Sequence, residues 1–264
     1  MGRLYRNTIT LALSLALMTL LGCGGAVPSG APGEVQEPNG ASAVREAAAS
    51  FLTAAAEGDL ETFLESLHPR YMVANALRVD MTLDEMHQAL RAFTSYELEP
   101  EHLIIRPDGD VCSSWVRLQP LASGQRLFGL GLENEGGCWR VTQFDALRWP
   151  GMSPSAVAAE ESLESLLVSF VALDGAAVAQ GLSAQYRARR GIAGPLAPEH
   201  LTGLGSPRYF ILPAGQVTML DGITAAATVS IYFQGAQGMA KETRKVRLVM
   251  EDGRWQVDDL PFLQ

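Results

Sequence analysis

Two stretches of this chain repeat at a nearly constant spacing, and that repeat limits the possible folds more than any other feature. Laid without gaps, Phe51-Leu52 falls on Leu166-Leu167, Leu67 on Leu182 and Tyr71 on Tyr186, so positions 71 and 186 lie 115 apart. Further on, Trp139-Arg140-Val141 matches Trp255-Gln256-Val257, and positions 139 and 255 lie 116 apart. Each tryptophan follows a glycine turn, Gly136-Gly137 in the first copy and Asp252-Gly253 in the second. Two ends that keep almost the same offset point to a tandem duplication, in which each copy repeats one plan of helices and strands.

The plan can be read from the first copy, which spans 42–149. Val44, Ala48, Phe51, Leu52 and Ala55 recur at helical spacing, with Gly58 placed to stop the helix. Asp59 is placed to cap a second helix with the stripe Leu60, Phe63, Leu64 and Leu67, ended by Pro69. A third helix starts at Thr82, where Glu85 completes a capping box and Met81 faces Met86. Its buried side is expected to carry Leu83, Met86, Leu90 and Phe93. From residue 96 the period shortens, and 96–106, 110–119, 125–134 and 138–146 read as strands separated by Gly-containing turns. Helices followed by an antiparallel meander make an α+β unit.

Pro150 to Pro154 form the joint, and the second copy occupies 153–264. Ser153-Pro154 opens its first helix, with Leu163, Leu166, Leu167 and Phe170 as the stripe. Strands are expected near 208–219, 223–234, 243–251 and 254–260, with Val229, Ile231 and Phe233 alternating on one face, as do Val246, Leu248 and Met250. The Gly- and Pro-rich stretch between Arg187 and Pro207 is expected to be loop with one short helical turn.

The N-terminus is of a different kind. Arg3 and Arg6 precede an apolar run from Ile9 to Leu21 that is short for a membrane span, and Leu20-Leu21-Gly22-Cys23 closes it. This stretch resembles the lipobox of bacterial lipoproteins. The resemblance implies a signal peptide over 1–22, cleavage before Cys23 and lipid on its thiol and new amino group, which makes the membrane a partner through that lipid. Gly24, in place of Asp, implies passage to the outer membrane, facing the periplasm, in a cell that has one. Residues 23–41 then form a flexible tether poor in large apolar side chains.

Charge narrows the partners. The chain has 20 Lys+Arg against 29 Asp+Glu. Loss of Arg3 and Arg6 with the signal peptide would leave 18 against 29, a net −11. So acidic a chain argues against nucleic acid and against electrostatic adhesion to anionic lipid.

Ala56-Glu57-Gly58-Asp59-Leu60 and Asp252-Gly253-Arg254-Trp255-Gln256-Val257 resemble the punctuation of the nuclear-transport-factor-2-like (cystatin-like, NTF2-like) superfamily. That resemblance implies two tandem domains, each with N-terminal helices packed on a strongly bent antiparallel sheet, often round a conical pocket. It implies no single activity, because the superfamily includes isomerases, dehydratases and small-molecule binders. Its enzymes place an Asp, Glu or His in the pocket, often beside a Tyr.

His68, His87, His102 and His200 share no position between the copies and read as surface or capping groups. No His-Glu-x-x-His, Cys-x-x-Cys or Gly-x-Ser-x-Gly pattern is present, so no metal, cofactor or catalytic residue is assigned. Tyr71 and Tyr186 are the candidate pocket residues because they recur, with core packing as the competing reading. Trp139 and Trp255 read as core. Arg187, Arg189 and Arg190 are a candidate anion site or a solvated loop.

Cys112 and Cys138 remain as a pair after lipidation, and a disulfide stays open. Strands two apart would hold them about 9–10 Å from one another, beyond the usual reach of about 7 Å. The preferred reading is a lipid-anchored binding or scaffold protein of the cell envelope, with an envelope protein or a small apolar ligand as partner. The alternative is a hydrolase or isomerase with an acid–base pocket in one copy.

Overall fold

A computed structural model describes residues 40–99, 103–106, 109–147, 152–213, 215 and 217–263. The expected signal peptide over 1–22, Cys23, the expected tether up to residue 39, His102 and residues 148–151 of the joint lie outside the described residues, whereas Gly40 and Ala41, expected in the tether, are the N-cap and first residue of a helix.

The first half opens with helix α1 (Ala41–Glu57), which buries Val44, Ala48, Phe51, Leu52 and Ala55. Gly58 ends it at φ 77°, a left-handed conformation that glycine adopts without a Cβ penalty, and its N–H bonds the Ala54 carbonyl. Asp59 caps α2 (Leu60–Glu65) by accepting from the Thr62 N–H. Here the structure departs from the expected second helix. Leu67 lies beyond α2 in a parallel bridge to Val141, and Pro69 opens a new helix, α3 (Pro69–Ala74), with His68 as its N-cap. Proline lacks only an N–H that the first turn leaves unpaired, so it starts a helix as readily as it stops one. Helix α4 (Leu83–Ala89) has the Thr82/Glu85 capping box. Met86, Leu90 and Phe93 are buried as expected, whereas Leu83 is 42% exposed, since it falls in the first turn and faces outward.

Five strands follow: β1 (Ser95–Leu98), β2 (Ile104–Ile105), β3 (Val111–Gln119), β4 (Arg126–Glu135) and β5 (Cys138–Phe144). The expected single strand over 96–106 is two short ones, each paired to a different part of the same edge of β3. The second half repeats the order with α5 (Pro154–Val171), α6 (Gly175–Gly181), α7 (Ala184–Arg190) and α8 (Pro198–Thr202). Then come β6 (Ser206–Ile211), β7 (Thr218–Met219), β8 (Thr224–Gly235), β9 (Gly238–Glu251) and β10 (Arg254–Asp259). The Ser153 side chain caps α5 with Pro154 at its first turn. Here too one expected strand, 208–219, is two.

Individual contacts recur between the halves. The His68 N–H bonds the Val141 carbonyl, and the Ser183 N–H bonds the Val257 carbonyl. Leu182 bridges Val257 as Leu67 bridges Val141, and Asp174 caps α6 as Asp59 caps α2.

The sheet corrects the expected architecture. In place of two separate, strongly bent antiparallel sheets, the described strands form one ten-stranded sheet that is not curled round the helices, ordered β1-β3-β4-β6-β8-β9-β10. β2 joins β3, β5 joins β4 and β7 joins β8 off this path. The join between halves is parallel, Arg126 opposite Phe210 and Leu127 opposite Ile211. Its cause lies in strand length. β5 covers only Leu130–Glu135 of β4, so the start of β4 keeps an unpaired edge, and an unpaired edge recruits another strand. β6 fills it. The mixed α and β composition holds, while the separation and the bend do not.

Each half has its own apolar core, one around Phe51, Phe63 and Phe128, the other around Phe170, Phe210 and Phe233. Cys112 on β3 and Cys138 on β5 are both free thiols, with β4 between them, opposite Leu132 and Glu135 respectively. Burial pushes the Cys112 thiol up to about 11, so it is protonated and unreactive near neutral pH.

Candidate functional site

The two recurring tyrosines make the same kind of contact. The Tyr186 hydroxyl donates to the Leu260 carbonyl at 3.0 Å. The Tyr71 hydroxyl donates to the Phe144 carbonyl at 3.2 Å and accepts from the Phe144 N–H at 2.9 Å. In both halves a helix is thereby tied to the end of the last strand. Burial, and the nearby Asp145 charge, push the Tyr71 hydroxyl well above its ordinary value despite the Phe144 hydrogen bond.

The three arginines lie in the last turn of α7, where cations favour the helix dipole. Arg189 donates to the Asp258 carbonyl at 2.7 Å and Arg190 to the Leu263 carbonyl at 3.2 Å. Both guanidinium groups also lie against the Tyr186 ring, 5.8 and 5.7 Å from its centroid. Arg187, partly buried, extends the same helix turn. Asp258 itself is buried and accepts from Ser183 and Arg247. Burial pushes its carboxyl up, but the Arg247 and Ser183 hydrogen bonds and the Arg189 charge outweigh that and hold it low. Tyr186, Arg189 and Arg190 are thus brought together round the C-terminal strand, while Tyr71 stands apart in the other half. Among the histidines, His68 is the buried N-cap of α3 and His87 and His200 are exposed. Trp255 is buried and Trp139 half-buried.

The densest polar arrangement lies where the halves meet. Arg126, at the start of β4, is fully buried. It bonds Glu164 and the Leu212 carbonyl, both on the second half, and reaches Glu160 at 3.2 Å. Its guanidinium also lies over the Phe128 ring, 4.6 Å from the centroid. Arg91, following α4, grips Glu164 with two parallel hydrogen bonds of 2.7 and 2.6 Å. Burial alone would push the Glu164 carboxyl up; the Arg91 hydrogen bond and the Arg126 charge reverse this and hold it below the usual range.

Beside that cluster is a cavity of about 400 Å³ with walls from both halves. Arg91, Leu121, Asp145 and Leu147 come from the first half, and Met152, Val157, Glu160 and Glu161 from the joint and α5. Such a volume is in the range of small-molecule sites. Asp145, just past β5, is buried and accepts from the Gly129 N–H and the Gln143 amide, each at 3.0 Å. Burial pushes its carboxyl up against those two hydrogen bonds and the Arg126 charge. A Cβ at position 129 would come within 2.6 Å of an Asp145 oxygen, so any larger residue there would displace that carboxylate. No group of three or more His, Cys, Asp or Glu side chains placed to hold a metal occurs among the described residues.

Sequence reasoning missed Arg126, Glu164 and Asp145. One signal existed for Glu164: it interrupts the apolar stripe of α5, next to Leu163 and one turn after Glu160. A charge in a buried stripe calls for a partner. Asp145 had no such signal, because it has no counterpart in the second half.

No protein-family model matches the chain, and no curated protein matches it. Among solved structures, it is similar to a sec-c motif containing protein from Psychrobacter arcticus, with TM-score 0.30 and 12% identity over 43% of this chain. The chain spans 65% of that protein's length. It is also similar to an NTF2-like protein involved in plasmid conjugation, with TM-score 0.30 and 8% identity, covering 81% of this chain and 95% of that one. Both are distant, partial resemblances to other folded chains. Among the described residues, no helix is long and apolar enough to cross a membrane.

Proposed function

We propose that this chain is a lipid-anchored, non-catalytic binding protein of the cell envelope whose small ligand occupies the cavity between the halves. The observation that carries the reading is that cavity, with apolar walls and a few polar groups contributed by both halves. The Leu-Leu-Gly-Cys stretch supports the anchor on Cys23, with the outer membrane, facing the periplasm, as its address. The duplication supports a body of two related halves, 42–149 and 153–264, behind a tether over 23–41.

Native mass spectrometry of the chain purified gently from an envelope fraction tests both parts. The expected result is an acylated species carrying a reproducible extra mass, with the acyl mass and membrane fractionation both lost in Cys23→Ser. A clean unliganded mass overturns the binding reading, and an unmodified Cys23 overturns the anchor.

A second reading, a hydrolase or isomerase, is favoured by one observation: the buried Asp145 carboxyl, with its raised proton affinity, lies close enough to Tyr71 for its charge to be felt there. The Tyr71 hydroxyl, however, is committed to the Phe144 backbone in both directions, as a structural tie would be.

A further inference from the structure

Three carboxylates are buried among the described residues: Asp145, Glu164 and Asp258. Two of them have their countercharges built in. Glu164 is held by Arg91 and Arg126, and Asp258 by Arg247 and Arg189. Asp145 differs. It is 7% exposed, it accepts only from the neutral Gly129 N–H and Gln143 amide, and it has no ion pair among the described residues. The Arg126 charge is felt at Asp145, but that guanidinium is bonded to Glu164 and Glu160. A carboxylate removed from water without a paired cation is costly, and a protein keeps one where something else supplies the charge or where the proton is retained.

Asp145 lines the junction cavity. Arg91 is the cation among the described residues lining it, and both of its terminal nitrogens are engaged by Glu164. The other ionisable groups on the wall are Glu160 and Glu161, so the cavity is net acidic. Glu160 is turned partly to Arg126, and Glu161 is exposed at the rim. Leu147, Met152 and Val157 supply apolar surface. An anionic ligand would meet carboxylates there, and a purely apolar one would bury Asp145 further without neutralising it.

Resting on the reading that the cavity is a binding site, we propose that its ligand is a small organic cation, a primary ammonium or guanidinium on an apolar body, with the cationic end paired to Asp145. The pairing needs the carboxylate ionised. Because burial raises the proton affinity of Asp145, binding should weaken as pH falls through its folded value, and the cation should displace the proton. Glu160 and Glu161 are the other carboxyls facing the cavity, Arg91 and Arg126 are the guanidinium groups beside it, and the Tyr71 hydroxyl feels the Asp145 charge from the first half.

Calorimetric titration of the purified chain with hexylamine, hexanol and hexanoate separates the possibilities, since the three probes share a tail and differ in the head. The expected result is hexylamine binding at least tenfold tighter than either of the others. That preference should disappear in Asp145→Asn, which can still accept from the Gly129 N–H, and a single cooperative thermal transition shows the variant folded. Ala92→Trp, which fills the cavity, should abolish all binding. Equal affinity for hexylamine and hexanol would overturn the cation assignment and leave the cavity as an apolar site. Hexylamine binding that survives Asp145→Asn overturns the pairing with Asp145. Failure of all three probes, or binding that persists in Ala92→Trp, overturns the cavity as the site.

Discussion

At the scale of single residues, the protein treats its buried charges in two ways. Glu164 and Asp258 are held ionised by guanidinium groups, and their carboxyls lie below the usual range. A group with a depressed folded value contributes stability above its unfolded value and loses it as pH falls through the folded one. Asp145 works in the opposite sense. With its folded value raised, it favours folding at acid pH, and that contribution is lost as pH rises through the raised value. Asp145→Asn keeps an acceptor for Gly129 but cannot titrate. In the absence of ligand it should therefore melt at a higher temperature than wild type at neutral pH, with the gap closing on acidification. Thermal unfolding across a pH series checks this, and a gap that widens toward acid contradicts it.

At the scale of elements, the helix starts are built from short-range chemistry and one of them is tied into the far end of the chain. Ser183 caps α7 by accepting from the Tyr186 N–H at 2.9 Å and donates its own hydroxyl hydrogen to Asp258 at 2.7 Å. It is fully buried. Ser183→Ala removes a cap and leaves an Asp258 lone pair short of a donor, a loss of about 1–3 kcal/mol. Chemical denaturation should show the midpoint lowered with an unchanged slope, because the packing surface is the same. The same cap was not visible from the sequence, where α7 has little apolar periodicity and follows α6 after only two residues. The Thr82 capping box was visible, since Glu85 three residues on completes the Thr-x-x-Glu signature that Ser183 lacks. Pro69 was misread for a related reason: a proline marks a helix boundary, and which side of the boundary it serves depends on where Leu67 is held, here by Val141 some 70 residues away.

At the scale of the whole molecule, the parallel pairing of β4 with β6 and the Arg91, Arg126, Glu160 and Glu164 cluster join the two halves. The junction is where the cavity lies, so coupling between the halves and access to the site are the same structural question. A shared sheet and a buried ion-pair cluster predict one cooperative calorimetric transition. Arg126→Met removes the cation and leaves Glu160 and part of Glu164 uncompensated in a buried setting, which costs about 3–5 kcal/mol. That is a large share of the stability of a typical domain, about 5–15 kcal/mol. The expected outcome is a transition that moves down by many degrees or splits in two. An unchanged single transition would mean that the halves are held together elsewhere.

What the sequence determined by itself is local or repetitive. Helices α1 and α5 follow from apolar stripes with a period near 3.6, the turns follow from Gly58 and Gly253, and the offset of positions 71 and 186 picks out two tyrosines, whose ties to the ends of the last strands only the structure shows. Signals of this kind act over three or four residues, or copy a pattern, so they survive in one dimension. Tertiary structure alone decided the rest. Whether β4 ends in solvent or pairs with β6 depends on β5 being too short to cover it. Whether Arg126 finds Glu164, and whether Asp145 gains an ion pair, depends on how two halves meet in space. A side chain's charge is written in the sequence, but the energy of that charge depends on its burial and on the sign of its neighbours, and both are set only when the chain has folded.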